Sequence, residues 1–210
     1  MRGRPGPWLP RGAATALLAA MSLGLLVAEP AGAQDWATFD SRGLPRSQGV
    51  VIRVPHPAAW QRVPPDDELA LAELRGPHAG LTGIVQIARG RRHADIAPLC
   101  RPERARTMLA DLEAQAPGTR VTDVVAHVHQ GRPGFELRYE RTDDQQVLRV
   151  HTRIVCLRDS RLVVSCAATT DLRQRHRLAE LAPVCARVLA GVEVSENEAA
   201  PAPSDPAANE

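Results

Sequence analysis

The stretch Val147–Thr170 reads VLRVHTRIVCLRDSRLVVSCAATT, with a turn signal at Asp159-Ser160-Arg161 and one cysteine on each side of it. Alternation of apolar and polar residues marks a strand, because successive side chains leave a pleated backbone on opposite faces. In the first arm Leu148, Val150, Thr152, Ile154 and Cys156 share one face, and Arg149, His151 and Arg153 share the other. In the second arm Leu162, Val164, Cys166 and Ala168 fall together. A three-residue loop at 159–161 sets Ile154 opposite Cys166 and Cys156 opposite Val164, which keeps both apolar sets on one side of a hairpin. The loop holds no glycine, so the register rests on the apolar pattern alone.

Before the hairpin, Val121–His129 and Phe135–Arg141 alternate in the same way and extend it into an antiparallel meander. Gly131-Arg132-Pro133-Gly134 and Asp143-Asp144-Gln145 supply the turns. Further upstream, His93–Gln115 has helical spacing at Ile96, Leu99, Cys100, Met108, Leu109 and Leu112. Pro98 and Pro102 start its regular part near Glu103, and Pro117-Gly118 stops it. Leu81–Arg89 is a strand, Leu69–Arg75 a strand or a short helix, and Gly49–Val54 a first strand stopped by Pro55 and Pro57. Trp60 covers an edge of the core. After the hairpin, Asp171 is a candidate N-cap, and Leu178, Leu181, Cys185, Val188 and Leu189 form the stripe of a closing helix. Pro183 inside that stripe means a kink or a late start.

The ends read differently. Arg2, Arg4 and Arg11 precede an Ala- and Leu-rich run at 13–28, and Ala31-Gly32-Ala33 offers a small-x-small cleavage pattern. Residues 1–33 are therefore expected to be a secretory signal peptide, and the apolar run is short for a membrane span. Residues 34–48 are an N-terminal arm, 49–194 a single α+β domain, and 195–210, rich in Ala, Pro and acid, a disordered tail. Removing 1–33 lowers the basic count from 26 to 23 and the acidic count from 24 to 23, so the mature chain is neutral. A neutral chain is a poor match for nucleic acid or an anionic membrane surface. The expected location is the periplasm, or outside the cell, with no transmembrane segment once the leader is removed.

The order is an exported start, a strand ending in proline and then tryptophan (Val50-Val51-Ile52-Arg53-Val54-Pro55 … Trp60), two strands, a helix, four meander strands and a closing helix with an internal proline. With the Gly131-Arg132-Pro133-Gly134-Phe135 turn into a strand, this resembles the PsbP/Mog-like superfamily and its bacterial periplasmic members of unknown function. The resemblance covers about Gly49–Val194. It implies an α+β fold in which an antiparallel sheet of about six to seven strands carries flanking helices. It also implies accessory or binding roles, mostly without catalysis. The cysteines are not a mark of that superfamily.

Four cysteines, Cys100, Cys156, Cys166 and Cys185, all lie in the mature part, and an even count in an exported chain reads as two disulfides. Three pairings exist, and heights choose among them. With the hairpin turn at the bottom, Cys166 lies about 20 Å up on a strand that rises a few ångströms per residue, and Cys156 lies low. The earlier helix begins at the bottom with Cys100. The closing helix descends from the top, and a start near Arg177 leaves Cys185 only ~12 Å down. Cys166–Cys185 and Cys100–Cys156 are the expected links.

The outward positions of the meander hold the polar chemistry. His129, Glu136 and His151 fall in one cross-strand row if Phe135, Leu137 and Tyr139 share a side with Leu148 and Val150, and Arg138 and Arg149 then flank His127. Two imidazoles and a carboxylate are a ligand set for a divalent metal such as zinc or copper, or a pH-sensitive patch. The plainer account is a half-exposed sheet face with ordinary Arg/Glu neighbours. No G-x-S-x-G, G-x-x-x-x-G-K or H-E-x-x-H pattern occurs. Asp66-Asp67-Glu68 and Asp143-Asp144 suit turns, and Arg89-Gly90-Arg91-Arg92-His93 reads as a solvated loop. No catalytic residue and no cofactor is expected. The leading expectation is an exported, soluble accessory or binding protein. It would meet an envelope protein through the sheet face or a surface lined by Trp36 and Trp60. The alternative is a metal-binding protein or enzyme using the His/Glu cluster.

Overall fold

The computed structural model describes residues 34–65 and 67–196. The leader reading of 1–33 and most of the tail reading lie outside the described residues. Seven antiparallel strands form the main sheet: β3 (Gln61–Val63), β4 (Ala70–His78), β5 (Leu81–Arg89), β6 (Thr119–His129), β7 (Arg132–Thr142), β8 (Gln146–Cys156) and β9 (Arg161–Asp171). Their order is β3-β4-β5-β9-β8-β7-β6. A second sheet, ordered β1-β2-β10, is built from β1 (Trp36–Asp40), β2 (Val50–Pro57) and β10 (Glu193–Glu196). The fold class is α+β, as the chain order implies. The segment read as an arm supplies β1, and Ser195 and Glu196, read as tail, belong to β10.

The hairpin register differs from the expected one. Val155 faces Leu162 and His151 faces Cys166, and the Leu157 N–H donates to the Ser160 carbonyl at 2.9 Å to close the turn. The pairing has slipped by three residues, and an odd slip exchanges faces. Val147 and Val155 therefore point to the same side as Leu162, Val164, Cys166 and Ala168, while Ile154 points to the other side with Val163. β8 and β9 lie in the middle of the sheet with cores on both faces. A strand buried on both sides has no single apolar face to set its register.

Two helices cover opposite faces of the main sheet. Helix α1 (Pro102–Gln115) has proline and Glu103 in its first turn, and packs Ala105 and Leu109 against Phe135, Leu137 and Ile154. Helix α2 (Ala182–Ala190) packs Val184, Cys185, Val188 and Leu189 into the larger core, which it shares with Ile52, Val54, Val85, Ile87 and Val164. Proline sits in the first turn of α2, and a 3-10 segment, Leu172–Leu181, precedes it. The closing helix thus starts late instead of kinking, and Asp171 makes no side-chain cap bond.

Two disulfides join these layers. Cys100–Cys156 spans 6.2 Å between Cα atoms and ties the entry of α1 to the hairpin. Cys166–Cys185 spans 5.3 Å and ties α2 to the opposite face. Trp60 is 3% exposed and lies across two glycines on neighbouring strands. A Cβ on Gly76 would come within 2.4 Å of its ring, and one on Gly83 within 2.1 Å. Its indole N–H donates to the Pro77 carbonyl at 3.3 Å. Trp36 is half-buried, with the Arg187 guanidinium 4.0 Å from its ring centre. Trp60 is therefore not free to line a docking surface.

Candidate functional site

The odd positions of β8 divide between two duties. Val147 and Val155 enter the larger core, and Arg149, His151 and Arg153 between them meet Glu136, Arg138 and Glu140 of β7. The register sets Glu136 directly across from Arg153, Arg138 from His151 and Glu140 from Arg149. His127 lies opposite Gly134, and His129 opposite Arg132 at the strand end. His129, Glu136 and His151 thus share a face but not a row. His129 is out of the expected row because the β6–β7 turn is shorter than the sequence suggests, and His151 because the β7–β8 register sets Arg153 opposite Glu136. Gln130 and Gly131, both at positive φ, make the turn, and Arg132 already belongs to β7.

Glu136 sits at the centre of the group. Arg153 Nε donates to its Oε1 at 2.9 Å, and a second guanidinium nitrogen reaches the same oxygen. His151 Nε2 lies 3.1 Å from Oε2, and His127 Nδ1 lies 4.0 Å from Oε1. Arg153 also donates to the Leu189 carbonyl, at the last turn of α2, where a helix has carbonyls without helical partners. A cation there also meets the negative end of the helix dipole. Its Nη1 lies 3.3 Å from His129 Nδ1, and His129 Nε2 lies 2.8 Å from the Val192 carbonyl. Arginine has only donors and a carbonyl only accepts, so these contacts select a neutral imidazole with its proton on Nε2.

The ionisation tendencies agree with this geometry. Burial, then the Arg153 charge, push His129 below its ordinary value. Burial pushes His151 down as well, against the pull of Glu136. Burial opposes ionisation of Glu136, but bonds from Arg153 and His151 outweigh it and hold the carboxyl below its ordinary value. Beside this group, Glu140 accepts from Arg149 at 2.7 Å and from Arg175 at 3.1 Å, which ties the 3-10 segment to the sheet.

The expected metal ligands are engaged elsewhere. Among the described residues no three His, Cys, Asp or Glu side chains are grouped to hold a metal ion. The cation that neutralises Glu136 is Arg153, and His129 spends both nitrogens on Arg153 and Val192. Arg153 was not singled out from sequence; its alternation with His151 and Arg149 on one strand face was the available signal. Arg89 was also missed. The sequence places it at the start of a solvated loop, but it is buried, and donates to Ser160 Oγ at 2.9 Å and Asp159 Oδ1 at 3.0 Å, and also to the Ser47 carbonyl. It holds the hairpin turn to the loop before β2.

No protein-family model matches the chain, and no curated protein matches it in sequence. Solved structures do. The solution structure of cyanobacterial PsbP (CyanoP) from Synechocystis sp. PCC 6803 aligns with a TM-score of 0.53 at 13% identity, over 83% of this chain and 98% of that one. LpqN of Mycobacterium tuberculosis, described as involved in cell envelope biogenesis, aligns at 0.48 and 14% identity, over 76% of this chain and 91% of its own. A Mog1 mutant aligns at 0.44 and 11% identity, over 68% and 89%. At such identities the likeness is one of fold. The chain has an α+β fold like that of PsbP.

Proposed function

We propose that the chain is an exported accessory protein that presents a braced, rigid surface to another molecule of the cell envelope. The observation that carries this reading is the pair of bridges Cys100–Cys156 and Cys166–Cys185, which leave no free cysteine among the described residues. Disulfides persist in oxidising compartments and are reduced in the cytosol. The leader expected at 1–33 agrees with that compartment. The polar side chains over β6–β8 favour a scaffold over a catalyst, because they are used in fastening α2 and the segment before it. Metal carriage by His129, Glu136 and His151 is not favoured, since Arg153 fills the cation's role.

Two measurements test the reading. Thiol alkylation of fractionated cells is expected to leave all four cysteines unlabelled until a reductant is added, with the chain in the envelope or medium. Crosslinking in intact cells is expected to capture an envelope molecule. A chain recovered from the cytosol with reactive thiols would sink the proposal.

A further inference from the structure

Strand β6 is an edge of the main sheet, and among the described residues no strand pairs with its outer side. Hairpin geometry tells which backbone groups face out. The two-residue turn Gln130-Gly131, with φ of 51° and 76°, is flanked by the pair His129–Arg132. In such a hairpin the flanking pair exchanges both hydrogen bonds, and alternate residues then follow suit. Asp123, Val125, His127 and His129 bond inward to β7. Val124, Ala126 and Val128 turn their N–H and C=O groups outward.

One half of this edge is guarded. Glu113 Oε1 accepts from the Val121 N–H at 2.7 Å, and the register slips between Val121 and Asp123. Side-chain cover and bulges are the usual protections of a strand edge. Among the described residues Val124–His129 has neither, and it holds no proline, lysine, arginine or acid. Val125 is 52% exposed and Val128 69%.

We propose that two copies of the chain pair here, β6 against β6, antiparallel about a two-fold axis. The strand is self-complementary in that arrangement. With the axis at Val125, Val124 faces Ala126 of the second copy, and the ladder ends where the irregularity at Thr122 begins. Asp123, which also meets Arg138 at 3.5 Å within its own copy, faces His127, so a carboxylate meets an imidazole twice, once on each side of the axis. The residues beyond Glu196 suit this edge less well, since the prolines at 201, 203 and 206 have no N–H to give a ladder. The result is one sheet running through both copies.

The test uses the full chain. Sedimentation velocity is expected to show the apparent mass doubling as concentration rises. Val125→Cys is expected to yield a reductant-sensitive covalent dimer linked through position 125 of both copies. In that register the two Cα atoms form a non-hydrogen-bonded pair about 4.5 Å apart, within disulfide reach. Ala126→Pro removes an outward N–H without touching the bonds to β7, and is expected to give a monomer. The double variant Ala126→Lys with Val128→Lys, which changes only exposed side chains, is expected to do the same with an unchanged urea midpoint. A wild-type chain that stays monomeric, or a dimer that survives both variants, overturns the proposal. So does a monomer that instead binds an extended peptide along β6.

Discussion

Glu136 and Arg153 face each other on neighbouring strands, and Arg153 also donates to the Leu189 carbonyl in the last turn of α2. Removing the carboxylate with Glu136→Gln strands a buried guanidinium, and the expected cost is about 3 kcal/mol, the scale for breaking a buried pair from one side. It should appear as a lower urea midpoint at unchanged slope. The same group sets an acid response in two stages. His129 and His151 are held below 6.5 when folded, so below that pH the unfolded chain binds more protons and stability falls. Glu136 and Glu140 are held below 4.5 against burial by their basic partners. Their contribution is whole above that value and is lost as pH drops through the folded values. Urea midpoints taken from neutral to acidic pH should step down twice, and His129→Gln should shrink the first step and leave the second. A flat response through 6.5 would remove the histidines from the account. Trp60 gives a second residue-scale case. Gly83→Ala forces a methyl into the indole and should cost about 1–3 kcal/mol by overpacking. In a Trp60→Ala background the same change should cost almost nothing, which a double-mutant cycle in urea would read directly. At this scale the sequence shows that His129, Glu136 and His151 share a face, because side-chain direction follows the period-two pleat. It does not show Arg153 as their counter-ion, because that depends on where a helix from far along the chain comes to end.

Elements were legible in proportion to their length and to how one-sided their burial is. Leu81–Arg89 carries its own stops in glycine and arginine-rich turns, and the strand observed has the same bounds. The 3-residue β3, the 4-residue β10 and the 5-residue β1 are too short to show a period, and two of them exist only by pairing with β2. The β8–β9 register was misread for the opposite reason: with apolar residues on both faces, either slip looks sound. The links nonetheless join the pairs that the height argument chose, since the slip carries Cys166 from opposite Ile154 to opposite His151 and so widens its height gap from Cys156. Each bridge restrains a different length of unfolded chain. Cys100–Cys156 encloses 56 residues and Cys166–Cys185 encloses 19. The chain-entropy relation gives about 4 kcal/mol for the longer and about 3 for the shorter. Paired Cys→Ser variants compared by urea denaturation should keep that order. The reverse order would place the stabilisation in the folded state.

On the scale of the whole molecule, one sheet separates two unequal cores. The larger lies between the main sheet, α2 and the β1-β2-β10 sheet; the smaller holds Ala105, Leu109, Phe135, Leu137 and Ile154 under α1. Local opening follows the thinner burial, so α1 should part from the sheet at a lower free energy than β5 and β9. Native-state hydrogen exchange should show α1 amides exchanging through a sub-global event, and breaking Cys100–Cys156 should widen the gap. Exchange of α1 and β9 in a single step would contradict it. The order of the cysteines along the chain has a consequence of its own. Each bridge joins a cysteine to the next one in sequence, and neither loop contains the other. A polypeptide that meets its oxidant from the N-terminus onwards therefore closes the native links simply by coupling each thiol to its successor as it emerges. Correct wiring follows from the order of arrival, with no isomerase needed to undo a wrong one.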